Sequence, residues 1–277
     1  ILLFYILIIF AFFFPLRQRL LKNNICTTTT LTLVVLLALP WWQRANRDNM
    51  TITILDVGHG QAILAQLPGG KNILLDAGSL NRTDVGTRII SPFLRYKGIG
   101  TIDAVVISHP DIDHINGLLE VSDNCKIEAI YSDDLNDFQQ NSYTIKFLRD
   151  ELIRKGIVIK PAEDKIPLTG PATVKLLWPS REISENDQIS ANDKSVVMML
   201  EYAGRKIIVC SDIEKLAQNE ILRLYPDLKA DILILPTTAP QKPPSRHSLK
   251  KSTLLLISPA TANHPMKNTR SSLIRKI

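Results

Sequence analysis

Two long uncharged runs open the chain, followed by a region of short alternating segments. Residues 1–16 contain no charged residue and hold five of the eight phenylalanines, and residues 25–42 are uncharged and end in Pro-Trp-Trp. A membrane-spanning helix needs about 20 apolar residues, often with tryptophan at the headgroup level. The runs therefore predict two transmembrane helices within residues 1–45, although a buried helical hairpin would give the same pattern.

The loop between the two runs suggests an orientation. It reads RQRLLKNN and carries three cations. Cytoplasmic loops of membrane proteins are enriched in such residues, which predicts that this loop is cytoplasmic and that the chain after Trp42 lies on the outer side. Because the sequence starts at Ile1 rather than Met, we expect residues 1–45 to be the end of a longer membrane domain.

From Met50 onward, short apolar strands alternate with amphipathic helices. Hairpins are predicted at 61–76 and 195–210, where Pro-Gly-Gly and Ala-Gly form the turns. The remaining predicted elements are helices over 84–97, 144–155 and 213–224, and strands over 51–57, 102–108, 174–178, 230–235 and 253–257. Strands in two groups, with helices between and after them, predict an α/β fold of two sheets packed face to face with helices outside.

Charge and cysteine content indicate one possible ligand and exclude several classes of protein. Of 33 Lys/Arg residues, eight lie in residues 240–277, which contain no acid. Such a tail attracts phosphate backbones, and a solvated tail without a ligand is the alternative. The three cysteines form no CxxC pair, which excludes a Cys-cage zinc domain and a disulfide-rich module. No Walker loop and no HExxH motif is present.

The densest polar cluster follows the strand predicted at 102–108. It contains four possible metal ligands within six residues, namely His109, Asp111, Asp113 and His114. Imidazole and carboxylate groups suit zinc or manganese, and two such ions side by side can activate water and stabilise both oxygens of a phosphoryl displacement. The simpler alternative is a helix start with Asp113 as its N-cap and incidental histidines.

Two further carboxylates also follow apolar strands. Asp76 ends the segment Leu-Leu-Asp, and Asp212 ends Ile-Ile-Val-Cys-Ser-Asp. Carboxylates at strand ends commonly line one rim of a sheet protein, so we expect both to lie near the histidine cluster. Helix capping by Asp212 is the alternative for that residue.

These segments together resemble a known family. HPDIDH, at 109–114, is similar to the HxDxDH variant of the metallo-β-lactamase signature, and LDVGHG, at 55–60, resembles the LDVGQG opening of the hydrolase-like domain in ComEC-type DNA-uptake proteins. The segments at 192–197, 211–215 and 230–233 follow in the family's order and spacing, as do the preceding apolar runs. The resemblance covers most of residues 50–240.

The resemblance implies an αββα sandwich over residues 46–265, preceded by the transmembrane helices of residues 1–45 and followed by a basic tail, residues 266–277. It also implies a role in natural transformation (competence) at the bacterial inner membrane, with the domain on the extracytoplasmic side. The implied partners are DNA, the membrane, the rest of the uptake channel and other competence proteins.

The resemblance also implies residue roles. His109, Asp111, Asp113 and His114 would bind two divalent ions, zinc or manganese, with Asp212 bridging them. Asp76 would orient this loop from behind. Asp113 and His114 would be the catalytic residues, with Asp113 helping to hold or deprotonate the attacking water.

The sequence departs from the family pattern at several positions. Relatives carry a His-His-Gly element whose histidine closes the metal site, and this chain has Thr237-Thr238-Ala239 there. His59 and Gln61 stand where Gln and Asp are usual, and Ser211 replaces a glycine. His247 or His264 would be a late replacement ligand, unless both are ordinary tail histidines.

Three functions follow from these observations. The first is a metal-dependent hydrolase, specifically a phosphodiesterase or nuclease acting on incoming DNA. The second is a catalytically degenerate module that guides DNA without cutting it, which the threonines at 237–238 favour. The third is a lactamase-fold hydrolase of a small molecule, and the LDVG opening argues against it.

Overall fold

The computed structural model describes residues 19–137, 142–162, 165–186, 188–235, 255–257 and 275–276. The chain divides into two units, Ile1–Arg47 and Asp48–Ile277. In the first unit, helix α1 spans Arg19–Ala45. The side chains of α1 that can be assessed are largely exposed, Leu31, Leu37 and Trp42 among them.

The predicted transmembrane helices are not supported. Within the part of the chain that the structure describes, no helix combines the length and the apolarity that crossing a membrane requires. The second apolar run lies inside α1, where Thr27–Thr30 and Thr32 limit the stretch free of polar side chains to residues 33–42. The first run, residues 1–16, lies outside the described residues.

The larger sheet of the second unit has seven strands. Their bounds are β1 (Thr51–Ile54), β2 (Ile63–Gln66), β3 (Asn72–Leu75), β5 (Ala104–Val106), β7 (Ala129–Tyr131), β8 (Val158–Lys160) and β14 (Arg275–Lys276). The order in the sheet is β14-β1-β2-β3-β5-β7-β8. Pairing is antiparallel from β14 to β3 and parallel from β3 to β8.

The second sheet has five strands, and a third has two. The five are β9 (Thr173–Trp178), β10 (Val197–Tyr202), β11 (Arg205–Cys210), β12 (Ile232–Ile234) and β13 (Leu255–Ile257), in the order β13-β12-β11-β10-β9. β9, β10 and β11 are antiparallel, and β12 and β13 continue in parallel. The short strands β4 (Thr101–Ile102) and β6 (Lys126–Ile127) pair with each other.

Helices connect these strands. They are α2 (Ser91–Tyr96), α3 (Ile112–Ile115), α4 (Leu118–Asn124), α5 (Asp133–Asn136), α6 (Tyr143–Arg154), α7 (Arg181–Ser184) and α8 (Lys215–Leu224). A π-helical segment, Gly86–Ile90, leads into α2, and short 3₁₀ turns occupy Pro68–Gly70 and Asn192–Lys194. The amphipathic helices predicted at 144–155 and 213–224 correspond to α6 and α8.

Alternation along the strands divides the apolar side chains among three cores. Ile73 and Leu75 of β3 join Met198 and Leu200 of β10 in one buried cluster between the two sheets. The intervening Leu74 belongs instead to a cluster with the helices of the larger sheet. Likewise, Met199, Ile208 and Cys210 pack with Ala217 and Ile221 of α8. The order helix, sheet, sheet, helix confirms the predicted αββα layering.

The core between the sheets makes a first prediction. Leu200 is fully buried there, whereas Leu216 on α8 is 42% exposed. Leu200→Ala should lower the free energy of unfolding by about 2–5 kcal/mol, because the cavity it leaves is enclosed by both sheets. Urea denaturation measures the loss. Leu216→Ala is the matched control and should stay within about 0.5 kcal/mol; equal losses in both variants would contradict the layering.

Candidate metal centre

The predicted site residues lie where strands of both sheets end. β3 and β5 are parallel neighbours with Leu75 opposite Val106, so the residues that follow them emerge at one edge. β11 ends at Cys210 in the other sheet, and Ser211 follows it. The Ser211 hydroxyl lies 2.7 Å from the Ser108 hydroxyl, so a hydrogen bond joins the ends of the two sheets directly.

Asp76 organises this edge. Its side chain is fully buried. Oδ1 accepts from the Ser108 backbone N–H at 2.8 Å, and Oδ2 accepts from the Ser108 hydroxyl at 2.7 Å, the Gln61 amide at 3.1 Å and His114 Nδ1 at 2.8 Å. A buried carboxylate is tolerated only when donors of this kind surround it. The predicted position of Asp76 behind the loop agrees with these contacts.

Hydrogen bonding fixes which nitrogen of each imidazole faces outward. The single Ser108 hydroxyl proton is donated to Asp76, so His109 Nδ1, 3.0 Å from that oxygen, must donate to it. His114 Nδ1 donates to Asp76. Both rings therefore turn Nε2 away from the carboxylate behind them, which is the arrangement seen when a histidine ligand is supported by a second group.

The outward nitrogens converge with carboxylates. Ligand atoms of His109, His114 and Asp212 all lie within 4.8 Å of one another. His114 Nε2 is 3.7 Å from Asp212 Oδ2 and 3.8 Å from Asp113 Oδ2, and His109 Nε2 is 3.4 Å from Asp111 Oδ2. Ligands on one tetrahedral zinc, each about 2.0–2.1 Å away, stand roughly 3.3 Å apart. The donor set fits a divalent ion.

Burial separates an inner and an outer half of the site. His109, His114 and Asp212 are buried, at 2%, 1% and 5% exposure. The side chains of Asp113 and Asp111 are 16% and 53% exposed. Metal binding by Asp111 and Asp113 stays a prediction.

The two histidines titrate in opposite directions. Burial lowers the pKa of His109, and the charge of His114 lowers it further. Burial alone would also lower the pKa of His114, but the charges of Asp76 and Asp212 and its hydrogen bonds to them raise it to about 10. At neutral pH, without metal, His114 is therefore an imidazolium between two carboxylates and His109 is neutral.

Both capping alternatives are wrong. The N-cap position of α3 is Asp111, which makes no side-chain capping bond, so Asp113 is not a cap. α8 begins at Lys215, beyond Asp212, and its start is capped by Asp193, whose Oδ1 accepts from the backbone N–H groups of Glu214 and Ala217 at 3.1 and 3.0 Å. Asp212 is thus left to the histidine cluster.

The sequence did not predict the contacts that position the site residues. Ser108 and Ser211 join the sheets, Gln61 donates to Asp76, and His59 Nε2 lies 3.9 Å from Asp113 Oδ2. One sequence signal was available: His59 and Gln61 depart from the family pattern, whereas Gly60 between them matches it. Thr237-Thr238-Ala239, His247 and His264 lie outside the described residues, as does all of the tail 266–277 except 275–276.

Glycines permit the close approach of the three loops. A Cβ atom at Gly78 would lie 2.2 Å from the carbonyl carbon of Asp113 and 2.3 Å from the amide nitrogen of His114. At Gly60, where φ is +146°, it would lie 2.6 Å from the Asp113 oxygen. The turn after β3, which contains Gly78, and the loop between β1 and β2, which contains Gly60, therefore contact the backbone of residues 109–114 directly.

Gly78→Ala should displace that segment and weaken metal binding by at least about 10-fold, since loss of ligand orientation typically costs 10–100-fold. Isothermal titration with Zn²⁺ measures the effect. Gly100→Ala is the matched control, because nothing lies within 4 Å of a Cβ there and its φ is ordinary. Equal affinities in the two variants would show that the close approach does not shape the site.

Metal binding should also release a proton. A metal ion needs the Nε2 lone pair of His114, which is protonated below a pKa of about 10. In the unfolded chain, the pKa of His114 is the ordinary value of 6.5. The ion pairs that protonated His114 forms with Asp76 and Asp212 therefore stabilise the metal-free fold fully below pH 6.5. This stabilisation declines as the pH rises from 6.5 to 10. At pH 7.5 we expect release approaching one proton per chain, and affinity that rises with pH. Titration calorimetry in buffers of different ionisation enthalpy measures it, with His114→Gln as the variant that releases none. A binding enthalpy independent of the buffer would contradict the prediction.

Comparisons with known proteins agree with the site and the layering. A family model described as the Metallo-beta-lactamase superfamily matches residues 55–257. "ComE operon protein 3" of Bacillus subtilis (strain 168) is 22% identical over 201 residues, 66% of this chain and 24% of that protein. "Uncharacterized protein YcaI" of Escherichia coli (strain K12) is 34% identical over 84 residues, 30% of this chain and 11% of that protein. The aligned region thus spans well under two thirds of either relative.

Among solved structures, a diphosphatase from the PhnP family is 15% identical, covering 67% of this chain and 73% of that one, with a TM-score of 0.42. The superfamily fold implies divalent metal binding, for which His109, His114 and Asp212 form the candidate site. The family model covers well over half of the chain, and its span includes His109, His114, Asp212 and every described strand of the two larger sheets except β1 and β14. The chain belongs to the metallo-beta-lactamase superfamily.

Proposed function

We propose that this chain is a metal-dependent phosphodiesterase that cleaves DNA within a bacterial DNA-uptake system. The observation that carries the proposal is the buried convergence of one ligand atom each from His109, His114 and Asp212 at the joined strand ends. The DNA-uptake context is supported by the LDVG opening and by the similarity to ComE operon protein 3.

Two divalent ions, zinc or manganese, would be held by this donor set. His109, Asp111, Asp113, His114 and Asp212 would hold the ions. Bound ions of this kind supply Lewis acidity and lower the pKa of water. Mixed imidazole and carboxylate donors are compatible with either metal, and the three carboxylates favour manganese.

The protein residues then have separate tasks. Asp76 holds the His114 ring through Nδ1, which keeps Nε2 directed at Asp212 and Asp113. Asp113, partly exposed at the edge of the cluster, would accept the proton of the attacking water. The neutral His109 is available as a ligand without losing a proton, because its pKa is lowered.

We also propose a location and partners. The chain would act at the bacterial inner membrane, on the extracytoplasmic side, together with the rest of an uptake channel and other competence proteins. The support is the resemblance of the LDVG and HPDIDH segments to ComEC-type proteins and the similarity to ComE operon protein 3. DNA would be both partner and substrate.

A DNA-guiding module without catalysis is the second candidate. It is favoured by Thr237-Thr238-Ala239, because a neutral hydroxyl binds transition metals weakly where relatives place an imidazole. The eight Lys/Arg of residues 240–277, with no acid among them, would provide the electrostatic contact to the phosphate backbone.

The purified chain, supplied with Mn²⁺ or Zn²⁺, should cleave end-labelled single- or double-stranded DNA. Asp212→Asn keeps the shape of the side chain but removes its charge, so cleavage should fall on the order of 100-fold. Asp227→Asn, at an exposed acid elsewhere in the domain, is the matched control and should cleave normally. Gel resolution of the products gives the rates.

Two outcomes would contradict cleavage of DNA at this cluster. A folded, metal-loaded chain that retards DNA in a gel but never cuts it would favour the guiding module. Cleavage that persists undiminished in Asp212→Asn would show that this cluster is not the source of the activity.

A further inference from the structure

We propose that His59 is a metal ligand of this chain, completing the outer end of the centre together with Asp113. The inference rests on the proposed metal-dependent function and deepens it. His59 Nε2 lies 3.9 Å from Asp113 Oδ2, and the same oxygen lies 3.8 Å from His114 Nε2. Asp113 therefore stands between two imidazoles, one buried and one on the solvent side.

The backbone of His59 is held against the site. Its N–H donates to Asn81 Oδ1 at 2.6 Å, and its carbonyl accepts from the Leu80 N–H at 2.6 Å. Two residues further on, the Gln61 N–H donates to the carbonyl of Asp113 at 3.2 Å. The Cα atom of His59 is thus fixed beside the metal-ligand segment, and only its side chain is adjustable.

The side chain has the freedom that ligation requires. It is 48% exposed, whereas His114 is 1% exposed. Ligands on one tetrahedral ion stand roughly 3.3 Å apart, so Nε2 of His59 needs to move only about 0.6 Å toward Asp113. A small rotation about the side-chain torsions of a half-exposed ring covers that distance.

The donor chemistry supports a metal over a simple ion pair. An exposed His–Asp pair is screened by solvent and contributes little to stability. Imidazole nitrogens on both sides of one carboxylate are instead a ligand set suited to zinc or manganese. His59, from the loop between β1 and β2, would supply the imidazole that the sequence lacks at Thr237 and Thr238.

The test measures metal binding rather than catalysis. The full chain is titrated with Co²⁺, followed by visible absorption and by elemental analysis of the bound metal. His59→Ala should weaken the more loosely bound ion by at least about 10-fold and change the absorption band, because one nitrogen ligand is lost. His247→Ala and His264→Ala are the matched controls, and Arg82→Ala controls for the opening region; all three should bind as the unaltered chain does.

Each outcome decides the inference. Unchanged affinity and absorption in His59→Ala would overturn it and leave the proposed function standing. Loss of the same ion in His247→Ala or His264→Ala, with His59→Ala unaffected, would place the late ligand in the tail and also overturn it. A folded, unaltered chain that binds no Co²⁺, Zn²⁺ or Mn²⁺ would reject the metal-dependent function itself. The melting temperature of metal-free His59→Ala should match that of the unaltered chain, which separates a ligand from a structural residue.

Discussion

The buried charge of Asp76 is the constraint on which the rest of the site depends. Removing a carboxylate from water costs several kcal/mol unless donors replace the water, and Asp76 takes its donors from Gln61, Ser108 and His114. Gln61 lies in the loop between β1 and β2, whereas Ser108 and His114 both lie in the segment after β5, so two segments distant from each other in sequence meet at Asp76. An arrangement that omits either segment leaves the charge short of a partner. The contacts of Asp76 orient His114 directly and orient His109 through Ser108.

The layered core makes that assembly possible. Asp76 and Ser108 follow parallel neighbouring strands, and Ser211 follows a strand of the other sheet, so their spacing is set by the packing between the sheets. The Ser108–Ser211 contact at 2.7 Å forms only if the two sheets pack at the correct distance. Because the core holds the strands rigidly, short side chains such as serine can carry the geometry of the site.

The features predicted correctly are those that depend on the local pattern of apolar and polar residues. The two hairpins, helices α6 and α8, and the convergence of Asp76 and Asp212 on the histidines follow from alternation, helical spacing and strand ends. Contacts distant in sequence were not predicted: Gly78 touches the backbone of Asp113, and Asp193 rather than Asp212 caps α8. The short strands β4, β6, β7 and β8, with two or three residues each, carry too little alternation to identify. The prediction of membrane helices rested on the apolarity of residues 1–16 and 25–42 alone, and threonines interrupt the second of these runs.

The proton and the metal compete for one lone pair, and this explains why the same residues can serve a metal-free and a metal-bound state. Without metal, burial alone would lower the pKa of His114, but Asp76 and Asp212 raise it to about 10, so the ring carries a proton that offsets their charges. A divalent ion held by Nε2 would supply more positive charge than that proton, and Nδ1 would remain available to donate to Asp76. His109 has no such proton to lose, since its pKa is lowered. The rings of the buried inner half are thereby oriented by protein contacts alone, whereas Asp111, Asp113 and His59 of the outer half reach solvent and are free of that constraint.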